Sequence, residues 1–257
     1  METTASTSMT LNRRRLLAGL LACPICTTLA RASDGPHWQY EGHGGAEEWA
    51  NLDSGFKACA VGSEQSPIDL SNAIKAGIDA IKLDWKPQPF KVANNGHTIQ
   101  LSAAPGSSMT IGKEKYDLLQ FHFHTPSEHA LGGKRTAMEV HFVHGQPKGR
   151  LAVVGALMTA GKKNAAFGAV MQAAPRTEGE TTLAAALDPR QFLPTSKSLF
   201  RYEGSLTTPP CSEVVDWAVY EHSIEVAAAD IQAFKAIFPM NARPLQSINR
   251  RFLLRGA

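Results

Sequence analysis

The chain has no long apolar run. Its hydrophobic stretches, Leu16-Leu17-Ala18-Gly19-Leu20-Leu21-Ala22 and Leu151-Ala152-Val153-Val154-Gly155-Ala156-Leu157-Met158, are too short to cross a bilayer, which takes about 20 apolar residues. It also lacks a strong charge of either sign: the formal net charge over 257 residues is +3. Even that small surplus sits in the first 32 residues, without which 22 basic and 22 acidic side chains remain. A nucleic-acid partner therefore loses its main electrostatic support. Cysteine is scarce, with four in all, and Cys23 and Cys26 lie in that same N-terminal stretch. A disulfide-rich scaffold is excluded. There is no internal repeat, low-complexity tract or linker, so nothing divides the chain into several domains.

The N-terminus has a different character. Arg13-Arg14-Arg15 precede the apolar stretch, and Ala30-Arg31-Ala32 offers a small-X-small cleavage site. A basic start, a short apolar centre and a cleavable end make a secretory signal over residues 1–32. Asn12-Arg13-Arg14-Arg15-Leu16-Leu17 also looks like a twin-arginine signal, a route that exports proteins already folded. Cleavage after Ala32 leaves residues 33–257, enough for one domain with a substantial core. Cys23 and Cys26 form a C-x-x-C spacing that elsewhere serves redox or metal chemistry, but inside a signal they are discarded. Alternatively, Leu20-Leu21-Ala22-Cys23 is a lipoprotein site and leaves the protein lipid-anchored through Cys23. The expected location is exported and periplasmic.

Beyond the signal, short runs of β-branched and aromatic residues recur: 90–92, 98–101, 109–111, 119–124, 138–143, 151–158 and 214–220. Gly, Pro, Asn and Asp punctuate them, which reads as a strand-rich domain. Helix is scarcer. Residues 227–238 carry Ile231, Phe234, Ile237 and Phe238 at helical spacing and stop at Pro239. A second short helix is expected over 164–173.

The chemistry gathers in two of these strands. His122 and His124 stand one residue apart in Gln120-Phe121-His122-Phe123-His124, and His141 follows in Glu139-Val140-His141-Phe142-Val143. Side chains alternate along a strand, so His122 and His124 share one face while Phe121 and Phe123 turn to the other. The same alternation groups Glu139, His141 and Val143 against Val140, Phe142 and His144. Three imidazoles from neighbouring strands then converge. Three neutral nitrogens with an open fourth position is the arrangement of catalytic rather than structural zinc. Gln120 and Glu139 sit where a metal-bound imidazole needs an acceptor for its other N–H. One His-X-His pair alone is common in strands that bind nothing. Of the nine histidines, His37, His43, His144 and His222 lack such context and read as surface or packing residues.

Further segments accompany the histidines: Trp38-Gln39-Tyr40-Glu41-Gly42, Gln65-Ser66-Pro67-Ile68-Asp69, Asn94-Asn95-Gly96-His97 and Ser127-Glu128-His129. Gly204-Ser205-Leu206-Thr207-Thr208-Pro209-Pro210 and Arg243-Pro244-Leu245-Gln246 complete the set. In order and spacing these resemble the α-class carbonic anhydrases, in particular their exported bacterial members, over residues 37 to 252. The resemblance implies a single domain, mainly β, built on one large, twisted, mostly antiparallel sheet with a few short peripheral helices. It implies reversible hydration of carbon dioxide to bicarbonate and a proton, by attack of zinc-bound hydroxide, with Zn2+ on His122, His124 and His141. Zinc lowers the pKa of its bound water from 15.7 to about 7.

By the same resemblance Thr207 donates to Glu128 and so orients the nucleophile, and Thr208 contacts bicarbonate or ordered water. Val143, Val153, Leu206 and Trp217 match positions that wall an apolar pocket for carbon dioxide. Val143 also reaches that face by strand alternation. His97 matches the proton shuttle, a role suited to an ordinary histidine pKa near 6.5, and Tyr40 a tyrosine that orders intervening water. Gln100 and Lys91 flank the His97 segment, with no effect assigned. Cys59 and Cys211 are the two cysteines left after the signal. An even count in an oxidising compartment predicts a disulfide, and the exported bacterial members carry a matching pair. The expected partners are carbon dioxide and bicarbonate, with no nucleic acid and no membrane span, in a monomer or a dimer. Two other readings stay open: a non-catalytic binding protein on the same fold, and a zinc hydrolase acting on esters.

Overall fold

The computed structural model describes residues 36–147 and 149–257; the signal, its cleavage site and Cys23 lie outside them. Among the described residues thirteen strands form one sheet, and Ala130–Leu131 pairs with Lys134–Arg135 in a small separate hairpin. The sheet runs Ile74–Lys75, Leu254–Gly256, Leu199–Gly204, Val215–Tyr220, Leu151–Ala160, Met138–Gly145, Glu114–His124, Ile99–Ser102, Lys91–Asn94, Gly179–Thr182. Most pairings are antiparallel. The exceptions are Ile74–Lys75 beside Leu254–Gly256, and the strands Val215–Tyr220 and Ile224–Val226, both parallel to Leu151–Ala160. The expected mainly β architecture is what the chain forms.

Of the strands at the centre, Leu151–Ala160 is the most apolar. From Ala152 to Met158 every residue is buried, as expected of a strand covered on both faces. On one side Phe121, Phe123, Val140, Phe142 and Val154 join Phe90, Phe167, Phe192 and Phe234 in the larger core. Ring centroids of Phe121 and Phe142 are 5.1 Å apart, the spacing of favourable aromatic pairs. On the other side a smaller cluster forms around Ile68, Val153, Val215 and Trp217, with Val143 and Leu206 packed against it.

Both expected helices are present. Ala165–Ala173 starts at Asn164, whose side chain accepts from the Phe167 N–H at 3.0 Å, and it buries Ala166, Phe167 and Val170. That is an ordinary N-cap. Ala228–Lys235 buries Ile231 and Phe234. It ends before the 238 expected from spacing: the Ile237 and Phe238 N–H groups both turn back to the Phe234 carbonyl, ahead of Pro239. No helix of the described residues is long and apolar enough to cross a membrane.

Candidate metal centre and active site

The site follows from strand register. His122 lies directly opposite His141, and His124 opposite Glu139, in the antiparallel pair Glu114–His124 and Met138–Gly145. Alternation then places all three imidazoles on one face, with a ligand nitrogen from each within 4.8 Å of the others. Ring centroids stand 4.9, 5.5 and 4.6 Å apart for His122–His124, His122–His141 and His124–His141. Gln100, on the next strand, is the cross-strand neighbour of His122.

Each ring is aimed by an acceptor behind it. His122 Nδ1 meets Gln120 Oε1 at 2.8 Å, His124 Nδ1 meets the Asn241 carbonyl at 2.7 Å, and His141 Nε2 meets Glu139 Oε1 at 2.9 Å. A carbonyl or carboxylate cannot donate, so the imidazole supplies the N–H in each bond. The lone pairs of His122 Nε2, His124 Nε2 and His141 Nδ1 are left for a ligand. Burial, then the neighbouring histidines, push the His122 pKa well below the ordinary value; for His124 burial also wins, against Glu128. Burial pulls His141 down too, but Glu139 and Glu128 outweigh it and its pKa is raised.

The donor set fits a cation. His124 Nε2 and Glu128 Oε2 are buried without any hydrogen-bond partner. They stand 3.6 Å apart, and the same carboxylate oxygen is 3.8 Å from His141 Nδ1. Buried polar atoms are nearly always satisfied, so an orphaned carboxylate oxygen beside three convergent nitrogens marks a place for positive charge.

The surroundings depart from expectation in three ways. No hydrogen bond joins Thr207 to Glu128: Glu128 Oε1 accepts from the Arg243 N–H at 2.8 Å, and Oε2 has tipped toward the imidazoles. Glu139 orients two histidines rather than one, because its Oε1 also lies 2.7 Å from His129 Nδ1. His129 Nε2 in turn meets the Tyr202 hydroxyl at 2.7 Å, and Tyr202 donates to Ser66 at 3.0 Å. Burial raises the Glu139 pKa, but His129 and His141 more than offset it and hold the carboxyl well below its usual range. Finally, the acceptor behind His124 is a main-chain carbonyl. Sequence carries no signal for such a group, since any residue type supplies one. His129, by contrast, lies in the Ser127-Glu128-His129 segment, but its partner Tyr202 is 73 residues away.

The apolar residues do come together. Val143, Val153 and Trp217 are successive cross-strand neighbours on three adjacent strands. Leu206 packs on the same cluster, and the Trp217 ring centroid lies 4.9 Å from that of His141. Gly155, opposite His141, leaves room behind the site: a Cβ there would meet Glu139 Oε1 at 3.0 Å and Val219 at 3.3 Å.

Thr207 is buried and Thr208 half-buried in the loop after Leu199–Gly204. Leu206 N–H donates to the Ser212 carbonyl at 3.0 Å and Cys211 N–H to the Thr208 carbonyl at 2.9 Å. Cys211 is bonded to Cys59, with Cα atoms 5.0 Å apart, which closes the loop against the N-terminal segment. Arg243 reinforces this seam: its guanidinium donates to the Ser66 and Cys59 carbonyls at 2.8 and 3.0 Å. Its burial lowers the Arg243 pKa to about 10, against the pull of Glu128.

His97 stands apart from the three imidazoles. It is half-buried and stacks on Trp38, ring centroids 3.8 Å apart and planes within 5°. Burial, with His37 next, lowers its pKa, and Glu178 opposes them. Tyr40 packs edge-on against Trp38 and Trp49, and burial raises its pKa well above the usual value. Lys91 pairs with Glu180 at the exposed surface and takes no part here. A hollow of about 950 Å³ lined by Arg201, Tyr202, Arg251 and Phe252 contains none of the three histidines.

Comparison with known proteins agrees with this geometry. Residues 44–255 match the family model described as eukaryotic-type carbonic anhydrase. A carbonic anhydrase of Nostoc sp. is 38% identical, covering 96% of this chain and 98% of the relative. One from Neisseria gonorrhoeae is 37% identical, covering 93% and 96%. The solved structure of α-carbonic anhydrase from Thermovibrio ammonificans with the inhibitor sulfanilamide superposes with a TM-score of 0.84 at 36% identity, covering 86% of this chain and 99% of that one. With sequence, fold and histidine geometry in agreement, this chain belongs to the α-carbonic anhydrase family.

Proposed function

We propose that this carbonic anhydrase hydrates carbon dioxide reversibly with a zinc ion held by His122, His124 and His141. The observation that carries the reading is the convergence of three backed imidazole lone pairs beside an unpartnered, buried Glu128 oxygen. Zinc, when bound, supplies Lewis acidity that brings the pKa of a coordinated water to about 7. Gln120, Glu139 and the Asn241 carbonyl fix the tautomers and aim each ring at the metal position.

The chain's other residues handle substrate and proton. Val143, Val153, Leu206 and Trp217 offer an apolar resting place for an uncharged, nonpolar gas. Thr207 holds a hydroxyl whose single proton can go to Glu128, leaving its oxygen as an acceptor toward the reacting centre. That role requires the Glu128 carboxylate to turn back toward Thr207. Thr208 contacts bicarbonate or ordered water. His97 takes up the proton on a ring nitrogen and passes it to buffer at the half-open surface, and Tyr40 orders the water between.

The test is zinc content measured together with hydration and ester hydrolysis on purified protein. One zinc per chain, with hydration lost to a chelator and restored by the metal, is the expected result. A protein free of metal and inert toward carbon dioxide would overturn the reading, and hydrolysis of esters without hydration would replace it. The basic, apolar and cleavable N-terminus further supports export to the periplasm, with lipid anchoring through Cys23 as the alternative. Cell fractionation and the mass of the processed N-terminus decide between them.

A further inference from the structure

Asn241 contributes more than its carbonyl. Its side chain is 1% exposed and every polar group of its carboxamide is engaged. Nδ2 donates to the carbonyls of His97 and Phe123, each at 3.0 Å, and Oδ1 accepts from the Thr125 N–H at 2.7 Å. The main chain is tied as well, with Asn241 N–H on the Thr125 carbonyl at 2.9 Å and the Asn241 carbonyl on His124 Nδ1 at 2.7 Å. One residue therefore grips the end of the strand that carries His122 and His124, the ring of His124, and the backbone of His97.

The His97 turn needs such a grip. It lies outside any strand. Within the turn, Asn95 Oδ1 accepts from the His97 and Thr98 N–H groups at 3.0 Å, which shapes it locally. The turn joins Lys91–Asn94 to Ile99–Ser102, which pair with each other in the sheet. Its ties to the metal-binding strand come from Thr98, whose hydroxyl donates to the Phe123 carbonyl at 2.5 Å, and from Asn241. Of these two, Asn241 bonds His97 itself. Donors in a buried amide cannot be replaced by water without opening the site, so loss of the carboxamide takes from the His97 carbonyl its donor, while the Phe123 carbonyl keeps the Thr98 hydroxyl.

We infer that Asn241 is a positioning residue for proton transfer, its carboxamide locking the His97 main chain to the metal-binding strand. The inference rests on the carbonic anhydrase reading. Proton transfer over ordered water is sensitive to small displacements, so the effect should fall on kcat rather than on kcat/KM.

The experiment is a double-mutant cycle of Asn241→Asp and His97→Ala in the full-length, zinc-loaded protein. Asn241→Asp keeps the shape and the Oδ1 acceptor but replaces the two N–H donors with at most one O–H, so the carbonyls of His97 and Phe123 can no longer both be held. Alone it should lower kcat in dilute buffer roughly fivefold, less than loss of the proton-transfer group itself, because the imidazole is displaced rather than removed. kcat/KM should change less than about twofold, with added imidazole restoring kcat. In the His97→Ala background it should cost little more, because both changes damage one step. Losses that multiply, or a loss that imidazole does not restore, overturn the inference, as does an unchanged kcat. If Asn241→Asp does not fold, hydrogen exchange of the wild type decides. The two Asn241 carboxamide protons should exchange as slowly as central sheet amides, and exchange at the rate of an exposed asparagine overturns the lock. An inactive wild type would sink the carbonic anhydrase reading and this inference with it. An active wild type with independent effects would sink the inference alone.

Discussion

The two faces of the strand pair Glu114–His124 and Met138–Gly145 hold the same residue type for opposite ends. On one face His122, His124 and His141 each keep a nitrogen free. On the other, His144 spends both: Trp85 Nε1 donates to its Nε2 at 3.0 Å, and its Nδ1 meets the Ala152 carbonyl at 3.2 Å. Its ring stacks on Trp85 beside Phe142. An imidazole with both nitrogens satisfied is a packing residue; one with a lone pair facing others like it is a ligand. The faces also divide labour. Close packing of Phe121, Phe123 and Phe142 makes the strands rigid, and that rigidity fixes the imidazoles opposite.

The sharpest way to break this division is to change neighbours on one strand. His141→Ala should abolish hydration and zinc binding, exceeding the roughly 10–100-fold that loss of an outer partner costs. The apo protein should still unfold within about 2 kcal/mol of apo wild type, since Glu139 keeps His129. Phe142→Ala, one position along and fully buried, should cost about 3–5 kcal/mol of stability while the folded fraction stays active. Elemental analysis and denaturant unfolding read both. Full zinc occupancy in His141→Ala, or an unaltered unfolding midpoint in Phe142→Ala, would dissolve the distinction.

Smaller effects probe the rim of the polar face. Thr207→Ala should retain zinc yet lower kcat/KM by about 100-fold, the scale for one positioned hydrogen-bonding group. It should also relax discrimination among inhibitory anions. This variant tests whether Thr207 acts although it makes no bond to Glu128 in this structure, and an unchanged kcat/KM would reduce it to a turn residue. His97→Ala should lower kcat in dilute buffer by roughly tenfold, with kcat/KM nearly unchanged and imidazole restoring the rate. Wild-type kcat without added buffer would assign the proton to another group.

Much of this was legible because alternation is local. The spacing of His122, His124 and His141, with Gln120 and Glu139 beside them, needs only a period of two to define a face. Strand existence was legible in the longer apolar runs, as in Leu151–Ala160, although Leu199–Gly204 went unread despite its Leu, Phe and Tyr. Gly179–Thr182 was not, because all four residues are exposed and only pairing with Lys91–Asn94 makes them a strand. The Asn241 carbonyl, the Asn241 carboxamide and the second histidine on Glu139 were hidden for a related reason. The partners of Asn241 lie 116 to 144 residues away and a main-chain acceptor has no residue signature, while the pairing of His129 with Glu139, ten residues on, depends on the small hairpin between them. The orientation of Glu128 depends on the balance among Arg243, His124 and His141, which no motif encodes.

The gentlest test concerns His144, the histidine on the apolar face. Burial lowers its pKa to about 4, partly offset by the carbonyls of Ala152 and Phe142. A depressed histidine pKa means that the folded protein resists protonation that the unfolded chain accepts near pH 6.5. Stability from this residue is therefore full above pH 6.5, falls as the pH drops, and levels out below about 4, where the folded form also takes the proton. Between pH 7 and pH 5.5 the expected loss is about 1 kcal/mol. His144→Gln cannot titrate, so unfolding measured across that window should show a correspondingly shallower slope, whatever its effect at pH 7. The metal-binding histidines should be kept out of the comparison by running both proteins with zinc saturated. Equal slopes for wild type and His144→Gln would mean that the apolar face does not hold its histidine neutral. The contrast between the two faces would then rest on geometry alone.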